Sequence, residues 1–145
     1  MIGRRRRIVR WYVGWPAGAV GGASGAEVAA AGAMAAAPPE APVRVGVPDF
    51  ADVIASPNVT IVDVRTPEEF AQAHIAGALN SPVEYADFTD QVSQLDADGT
   101  YAVYCRSGNR SQTAVDQMSA VGITGSYELE SGTNGWAAAG QPLVQ

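Results

Sequence analysis

The chain has 145 residues, of which 47% are hydrophobic and 17% are charged, a length that is typical of one domain and short for two. Its single cysteine and single histidine exclude a disulfide framework within one chain, a zinc site built from several cysteines and a metal site built from several histidines. The net charge of −6 argues against general nucleic-acid binding, which depends on basic residues that neutralise phosphates.

The charge is distributed unevenly along the chain. Residues 1–40 carry five arginines and two acidic residues, a net charge of +3, whereas residues 41–145 carry four arginines and thirteen acidic residues, a net charge of −9. Residues 1–40 also contain eleven alanines and seven glycines, and such a stretch buries too little apolar surface to offset the entropy of ordering it. We therefore predict an N-terminal leader over 1–40 and a folded domain over 41–145.

The leader has the layout of an export signal, with a basic start, an uncharged middle and small residues before two prolines. Residues 5–10 resemble the twin-arginine export motif, and cleavage is expected after Ala35 or Ala37. The uncharged middle, residues 11–26, includes five glycines and is too short for a stable membrane span, which needs about 20 apolar residues. An exported, periplasmic or extracytoplasmic protein is the leading interpretation. A disordered basic tail, a membrane-surface tether or a misassigned start codon remains open, and without a signal the protein is expected in the cytoplasm.

Beyond the leader, strand and helix patterns alternate. Strands are predicted from β-branched and period-two runs over 43–47, 59–64, 78–80, 100–104 and 126–129. Helices are predicted over 49–55, 67–74, 83–95, 111–121 and 134–139. The helix at 67 has a clear start, because Thr66, Pro67 and Glu69 have the spacing of an N-cap, a first-turn proline and a capping box. The alternation predicts an α/β domain with a parallel sheet covered by helices on both faces.

The cysteine follows one of these strands directly. Ligands of parallel sheets bind beyond the carboxyl ends of the strands, and Cys105 stands there, at the start of a polar loop that leads into a helix. Loop amides and the helix N-terminus make an anion cradle, and Arg106 and Arg110 favour thiolate over thiol. Gly108 supplies the backbone freedom that a tight loop needs. The pattern predicts a nucleophilic Cys105. The alternative is a small buried hydrophobic residue.

At this point the sequence resembles a known family, the rhodanese (sulfurtransferase) domain. The resemblance is carried, in this order, by residues 61–70 with 74–78, residues 105–111, and residues 129–136 with 140–142. It implies a three-layer α/β fold with a five-stranded parallel sheet between helices, and an enzyme that carries sulfur as a cysteine persulfide. Cys105 matches the persulfide-forming residue. The loop that cradles the sulfur is matched by Arg106, Ser107, Gly108, Asn109 and Arg110. Two positions depart from the family pattern, because Ala73 and Ser131 stand where glycine is usual.

The leading functional hypothesis is sulfur transfer. The Cys105 thiolate would take the outer sulfur of thiosulfate or a similar sulfane donor and pass it to a thiol or to cyanide, with Arg106 and Arg110 favouring anionic donors. No metal or organic cofactor is required by this chemistry, no nucleic-acid or membrane partner is expected, and a monomer is expected.

Two alternative functions remain. One is a sulfur-relay or sensor module without turnover. The other is a phosphatase or arsenate reductase of the Cys-loop type. Protein tyrosine phosphatases use Cys-x5-Arg, whereas four residues separate Cys105 from Arg110, which suits one sulfur atom better than a phosphate.

Four further residues, Asp63, Arg65, His74 and Trp136, are interpreted as supporting the site or the fold. Asp63 and Arg65, at the end of a predicted strand, either order the active loop by ion pairing or serve as scaffold, with Arg65 pairing with Glu69 and Asp63 accepting backbone N–H bonds. His74 is interpreted as a structural hydrogen-bonding residue. Trp136 is interpreted as core packing against Leu129.

The export hypothesis makes the first prediction. N-terminal sequencing of the protein from its native host is expected to show a mature chain that starts just after Ala35 or Ala37. An intact Met1 on protein recovered from the cytosolic fraction would contradict export.

Overall fold

The computed structural model of the protein describes residues 37–145, and in this part of the chain it contains five strands and five helices. The strands are β1 (Val43–Val45), β2 (Val59–Asp63), β3 (Leu79–Asn80), β4 (Thr100–Tyr104) and β5 (Ser126–Leu129). The helices are α1 (Val47–Ile54), α2 (Pro67–Gln72), α3 (Phe88–Val92), α4 (Arg110–Ala120) and α5 (Gly132–Ala138).

All five strands join one parallel sheet in the order β1-β5-β4-β2-β3. The predicted α/β fold with a five-stranded parallel sheet is therefore confirmed. Strand β4 lies at the centre, between β5 and β2, and every residue of β2 and β4 is buried. This order brings the carboxyl ends of β2, β4 and β5 to one edge of the sheet, where ligands of such folds bind.

Alternation along the central strands divides the core into two layers. Val62, Tyr101 and Val103 face α3 and α4, in a cluster that includes Phe88 and Met118. The opposite face of the same strands packs on α1 and α5. Its buried members are Phe50, Val53, Val59, Ile61, Ile75, Ala102, Tyr104, Leu129 and Trp136. Because successive strand side chains point to opposite faces, both faces of the sheet are apolar and both are covered by helices. The predicted packing of Trp136 with Leu129 is confirmed.

The start of α2 forms as the sequence predicts. The Thr66 hydroxyl accepts the Glu69 amide at 3.2 Å, and the Glu69 carboxylate accepts the Thr66 amide at 3.2 Å, which completes a capping box. Pro67 occupies the first turn, where its missing N–H costs nothing. The helix ends at Gln72 rather than near His74, because His74 forms an antiparallel bridge with Val144.

The predicted helix over 83–95 is too long at both ends, because helical structure is confined to Phe88–Val92. The Val83 amide donates to the Val64 carbonyl at 3.1 Å and the Tyr85 amide donates to the Pro82 carbonyl at 3.2 Å, so the chain forms a turn beside the end of β2. Strand β1 is also shorter than the predicted strand over 43–47. Pro48 lies in the first turn of α1, which starts at Val47 and shortens β1.

Most of the proposed leader lies outside the described residues, so the domain boundary, export and cleavage remain predictions. Between residues 37 and 145, no helix has both the length and the apolar character that crossing a membrane requires.

The capping box gives the second prediction. Thr66→Ala is expected to lower the free energy of unfolding by about 1 kcal/mol, because it leaves a helix N–H without its side-chain acceptor. Urea denaturation measures this change. Thr113→Ala is the matched control, because Thr113 is exposed within α4 and alanine favours a helix interior. Equal losses in both variants would show that the cap contributes nothing.

Candidate active site

Cys105 lies directly after the central strand, at the carboxyl edge of the sheet. Its side chain is fully buried, and in the part of the chain that the structure describes it is the one free thiol. The loop 106–109 turns back over it and leads into α4. The Gly108 amide donates to Sγ at 3.1 Å, and the Ser111 Oγ lies 3.4 Å from Sγ. The predicted arrangement of strand, cysteine, tight loop and helix is present in the structure.

The loop takes its shape from Gly108, which has a φ of +96°. This is the left-handed region that L side chains rarely adopt. A Cβ at this position would also lie 2.0 Å from the Glu130 carbonyl oxygen, so both conformation and space require glycine here.

The surroundings of Cys105 favour its thiolate. Burial raises the pKa of the thiol, but hydrogen bonds to the thiolate outweigh burial. Their donors are the Ser111 hydroxyl, when it turns its hydrogen from Glu128 to Sγ, and the amides of Ser111, Gly108 and Ser107. The resulting pKa lies below that of an ordinary cysteine. A larger fraction of the side chain is therefore nucleophilic thiolate at neutral pH than in an unperturbed thiol.

The two loop arginines have different surroundings. Arg106 is exposed. Arg110 forms a two-pronged ion pair with Glu69, at 2.8 and 3.0 Å, and lies 3.7 Å from a Glu84 carboxylate oxygen. The charge of Arg110 is thus shared with two carboxylates, so Arg106 is the loop arginine that remains accessible to an anion.

Asp63 and Arg65 pair with each other. The Asp63 carboxylate accepts the Arg65 backbone amide at 2.9 Å and its guanidinium at 2.7 Å, and Arg65 also donates to the Ala73 carbonyl at 2.6 Å. The predicted pairing of Arg65 with Glu69 is wrong, because residues two apart at a strand end point the same way, whereas Glu69 is engaged by Arg110. The scaffold interpretation describes these contacts better than direct ordering of the active loop.

Two aromatic contacts continue this scaffold. The Arg65 guanidinium lies over the Tyr104 ring, 5.7 Å from its centroid, and the Tyr104 hydroxyl accepts the Ile75 amide at 3.0 Å. The His74 ring stacks on Phe70 at 3.8 Å, and its Nδ1 lies 2.8 Å from the Phe70 carbonyl oxygen. These contacts agree with the structural interpretation of His74.

The model of the rhodanese-like domain matches residues 47–139, which is more than half of the chain. The chain belongs to the rhodanese-like domain family. Both the predicted family and its three-layer fold are confirmed.

Individual proteins similar to this chain support the same family assignment. It is 37% identical over 91 residues to thiosulfate sulfurtransferase 16, chloroplastic, of Arabidopsis thaliana, over 56% of this chain and 76% of that protein. It is 38% identical over 87 residues to an uncharacterized Synechocystis protein, over 60% of this chain. The aligned part is 48% of the Synechocystis protein, so the chain spans about half of that relative's length. The crystal structure of a rhodanese-related protein from Thermoplasma volcanium matches with a TM-score of 0.62 at 31% identity, over 70% of this chain and 97% of that one.

The two departures from the family pattern leave the backbone intact. Ala73 has a φ of −171° and Ser131 a φ of −100°, conformations that any residue adopts. The glycine that the turn does require is Gly132, with a φ of +60°. A Cβ on Gly132 would lie 2.3 Å from the Arg106 carbonyl, because the start of α5 packs directly against the active loop.

Sequence reasoning missed two residues beside the site, Arg44 and Glu128. They are register partners on β1 and β5, and Glu128 is 2% exposed. Arg44 donates to both Glu128 carboxylate oxygens, at 2.8 and 3.0 Å, and to the Gly108 carbonyl. Glu128 in turn accepts the Ser111 hydroxyl. The available signal was an acidic residue inside an otherwise buried strand, where an ionised side chain needs a partner.

The Glu69–Arg110 pair predicts an acid sensitivity. The Arg110 hydrogen bonds lower the pKa of Glu69 to about 2, against burial and with help from Thr66. Because an unfolded glutamate titrates near pH 4.3, this stabilisation is complete above that pH and is lost as the pH falls towards 2. Glu69→Gln is expected to flatten the decline in the free energy of unfolding between about pH 5 and pH 2.

Denaturant unfolding at several pH values measures this slope. Glu68→Gln is the control, because Glu68 is the neighbouring, exposed acidic residue of α2. An unchanged slope in Glu69→Gln would contradict the assigned ion pair.

Proposed function

We propose that this rhodanese-like domain is a sulfurtransferase that carries sulfane sulfur on Cys105. The observation that carries the proposal is the position of Sγ, buried at the carboxyl edge of the sheet and surrounded by the amides of Ser107, Gly108 and Ser111. Such amides stabilise a negative sulfur, whether it is a thiolate or a persulfide. The name of the Arabidopsis relative supports the same chemistry.

In the loading step, the Cys105 thiolate attacks the outer sulfur of thiosulfate. A new bond forms between Sγ and that sulfur, the bond inside thiosulfate breaks, and its electron pair leaves with sulfite. The product is a persulfide whose negative charge lies on the outer sulfur. In the discharge step, cyanide or a thiolate attacks the outer sulfur, and the Cys105 thiolate is restored as leaving group.

The charges around the loop favour an anionic donor at one place. Arg106 is exposed at the rim, whereas Arg110 is paired with Glu69, so donor binding is expected to depend on Arg106 and the loop amides. The chemistry requires neither a metal nor an organic cofactor. The four-residue spacing between Cys105 and Arg110 favours a single transferred sulfur over a phosphoryl group.

We further propose that the chemistry takes place outside the cytoplasm. The arginine-rich start and the uncharged middle of residues 1–40 support export of the domain.

Sulfur loading is the fourth prediction. Thiosulfate treatment of the wild-type protein is expected to add the mass of one sulfur atom to the peptide that contains Cys105, and cyanide is expected to remove it as thiocyanate. Cys105→Ser is expected to take up no sulfur and to turn over at less than about 10⁻³ of the wild-type rate, because it lacks the thiolate. Intact-mass analysis and a thiocyanate assay measure both outcomes.

The controls separate the competing functions. Gln112→Ala keeps the thiol and the loop and changes an exposed side chain of α4, so it is expected to load sulfur. Loading without turnover, followed by transfer to a protein thiol, would identify a sulfur-relay module. Turnover in Cys105→Ser, or no sulfur on the wild type, would overturn the proposal.

A further inference from the structure

A continuous chain of polar contacts leads away from the sulfur. Sγ of Cys105 lies 3.4 Å from Ser111 Oγ, the Ser111 hydroxyl donates to Glu128, and Glu128 is held by Arg44. Cys105 and Ser111 are fully buried and Glu128 is 2% exposed. The mechanism proposed above uses Cys105 and the loop amides, and it leaves the carboxylate of Glu128 without a role.

The Ser111 hydroxyl has one hydrogen and two acceptor lone pairs. In the structure this hydrogen points to Glu128, so Oγ presents lone pairs to Sγ. That orientation suits a thiol, which donates to Oγ. It does not suit a thiolate, which needs a donor. Stabilisation of the thiolate by this hydroxyl therefore requires the hydrogen to leave Glu128.

We propose that Glu128 is a positioning residue that withholds the Ser111 hydrogen from Cys105 and thereby slows the release of sulfur from the loaded protein. The inference rests on the proposed sulfur transfer. Glu128 acts through Ser111 and through its own buried negative charge, and both effects disfavour a thiolate at Sγ. Arg44 acts in the opposite sense, because it offsets the charge of the carboxylate.

The two half-reactions respond differently to such a residue. In discharge, the acceptor attacks the outer sulfur and the electron pair of the broken bond remains on Sγ. If the Cys105 thiolate is poorly stabilised as a leaving group, the discharge step is slow. In loading, the same thiolate is the nucleophile, and its intrinsic reactivity rises with its basicity. Glu128 thus slows discharge, so that the outer sulfur stays on Cys105 until a good acceptor attacks it.

The other charged groups around Cys105 do not cancel this effect. Arg44 on β1 and Arg110 at the start of α4 both interact with the sulfur as positive charges, and Arg110 is already paired with Glu69. Glu130, after β5, interacts with Arg44 and is exposed. Glu128 is the carboxylate that contacts Ser111, so the removal of its charge is expected to change the sulfur most.

The test is alkylation of Cys105 by iodoacetamide as a function of pH, which reports the thiolate without any sulfur transfer. Glu128→Gln keeps the size of the side chain, and it is expected to raise the alkylation rate near pH 6 by about three- to tenfold. Arg44→Gln leaves the carboxylate unpaired and is expected to lower that rate. Glu130→Gln removes an equal charge from an exposed position and is expected to change the rate less than twofold.

The opposite changes in alkylation rate expected for Glu128→Gln and Arg44→Gln distinguish this role from a structural one. If the ion pair only held the loop in shape, its loss from either side would shift the alkylation rate in the same direction, and that result would overturn the inference. The double variant Arg44→Gln/Glu128→Gln is compared with Arg44→Gln, because the double variant leaves no buried unpaired charge. It is expected to react faster than Arg44→Gln alone. In Ser111→Ala, adding Glu128→Gln is expected to have a smaller effect, because the hydroxyl is absent.

The discharge rate completes the test. Persulfide preloaded on Glu128→Gln is expected to transfer its sulfur to a small thiol faster than the wild-type persulfide does, and an equal or slower rate would overturn the inference. Wild-type protein that takes up no sulfur would overturn the proposed function, and with it the retention of sulfur. In that case, opposite alkylation shifts would still show that Glu128 controls the thiol.

Discussion

The site depends on the direction in which the peptide groups of the loop after β4 point. The carbonyls of Cys105 and Arg106 accept the amides of Thr133 and Asn134, at 2.9 and 3.0 Å, and the Gly108 carbonyl accepts Arg44. Because these carbonyls are bound from outside the loop, its amides are left to face Sγ. The start of α5 and the edge strand β1 therefore shape the proposed anion cradle from outside the loop. Gly108 and Gly132 are required because the surrounding backbone comes too close for a Cβ.

Most of the arginines in the described part of the domain are paired with acidic side chains. Among residues 37–145, Arg44, Arg65 and Arg110 each form an ion pair with a carboxylate. Both members of the Arg65–Asp63 pair are buried, and a charge left unpaired there would be costly, whereas Arg44 and Arg110 remain partly exposed. Two of the three pairs border the active loop, so most of the positive charge in this region is used for positioning. Arg106 is exposed, so the attraction that we propose for an anionic donor acts through solvent and is screened by salt.

The sequence predicted what is local in the chain. The capping box spans four residues, the Cys105 loop follows its own strand, and the period of two assigns each strand residue to a face, so a short window contains the necessary information. Contacts between distant elements were not predictable in this way. Arg44 and Glu128 are 84 positions apart, and they meet only because β1 pairs with β5. The Asp63–Arg65 pair is the exception. It is local, and the spacing of two at a strand end was a signal that the prediction overlooked.

Two carboxylates from opposite sides hold consecutive residues at the start of α4. Glu69, after β2, binds Arg110, and Glu128, on β5, binds Ser111. The strands of these carboxylates flank β4, so the first turn of α4 is fixed from both neighbouring strand–helix units. Asn109 caps this helix without a side-chain hydrogen bond, so the amides of the first turn are not taken up by a cap of their own. Fixed from both sides and without a side-chain cap, the start of α4 can direct the Ser111 amide at the sulfur, which accounts for the two acidic residues beside the proposed anion site.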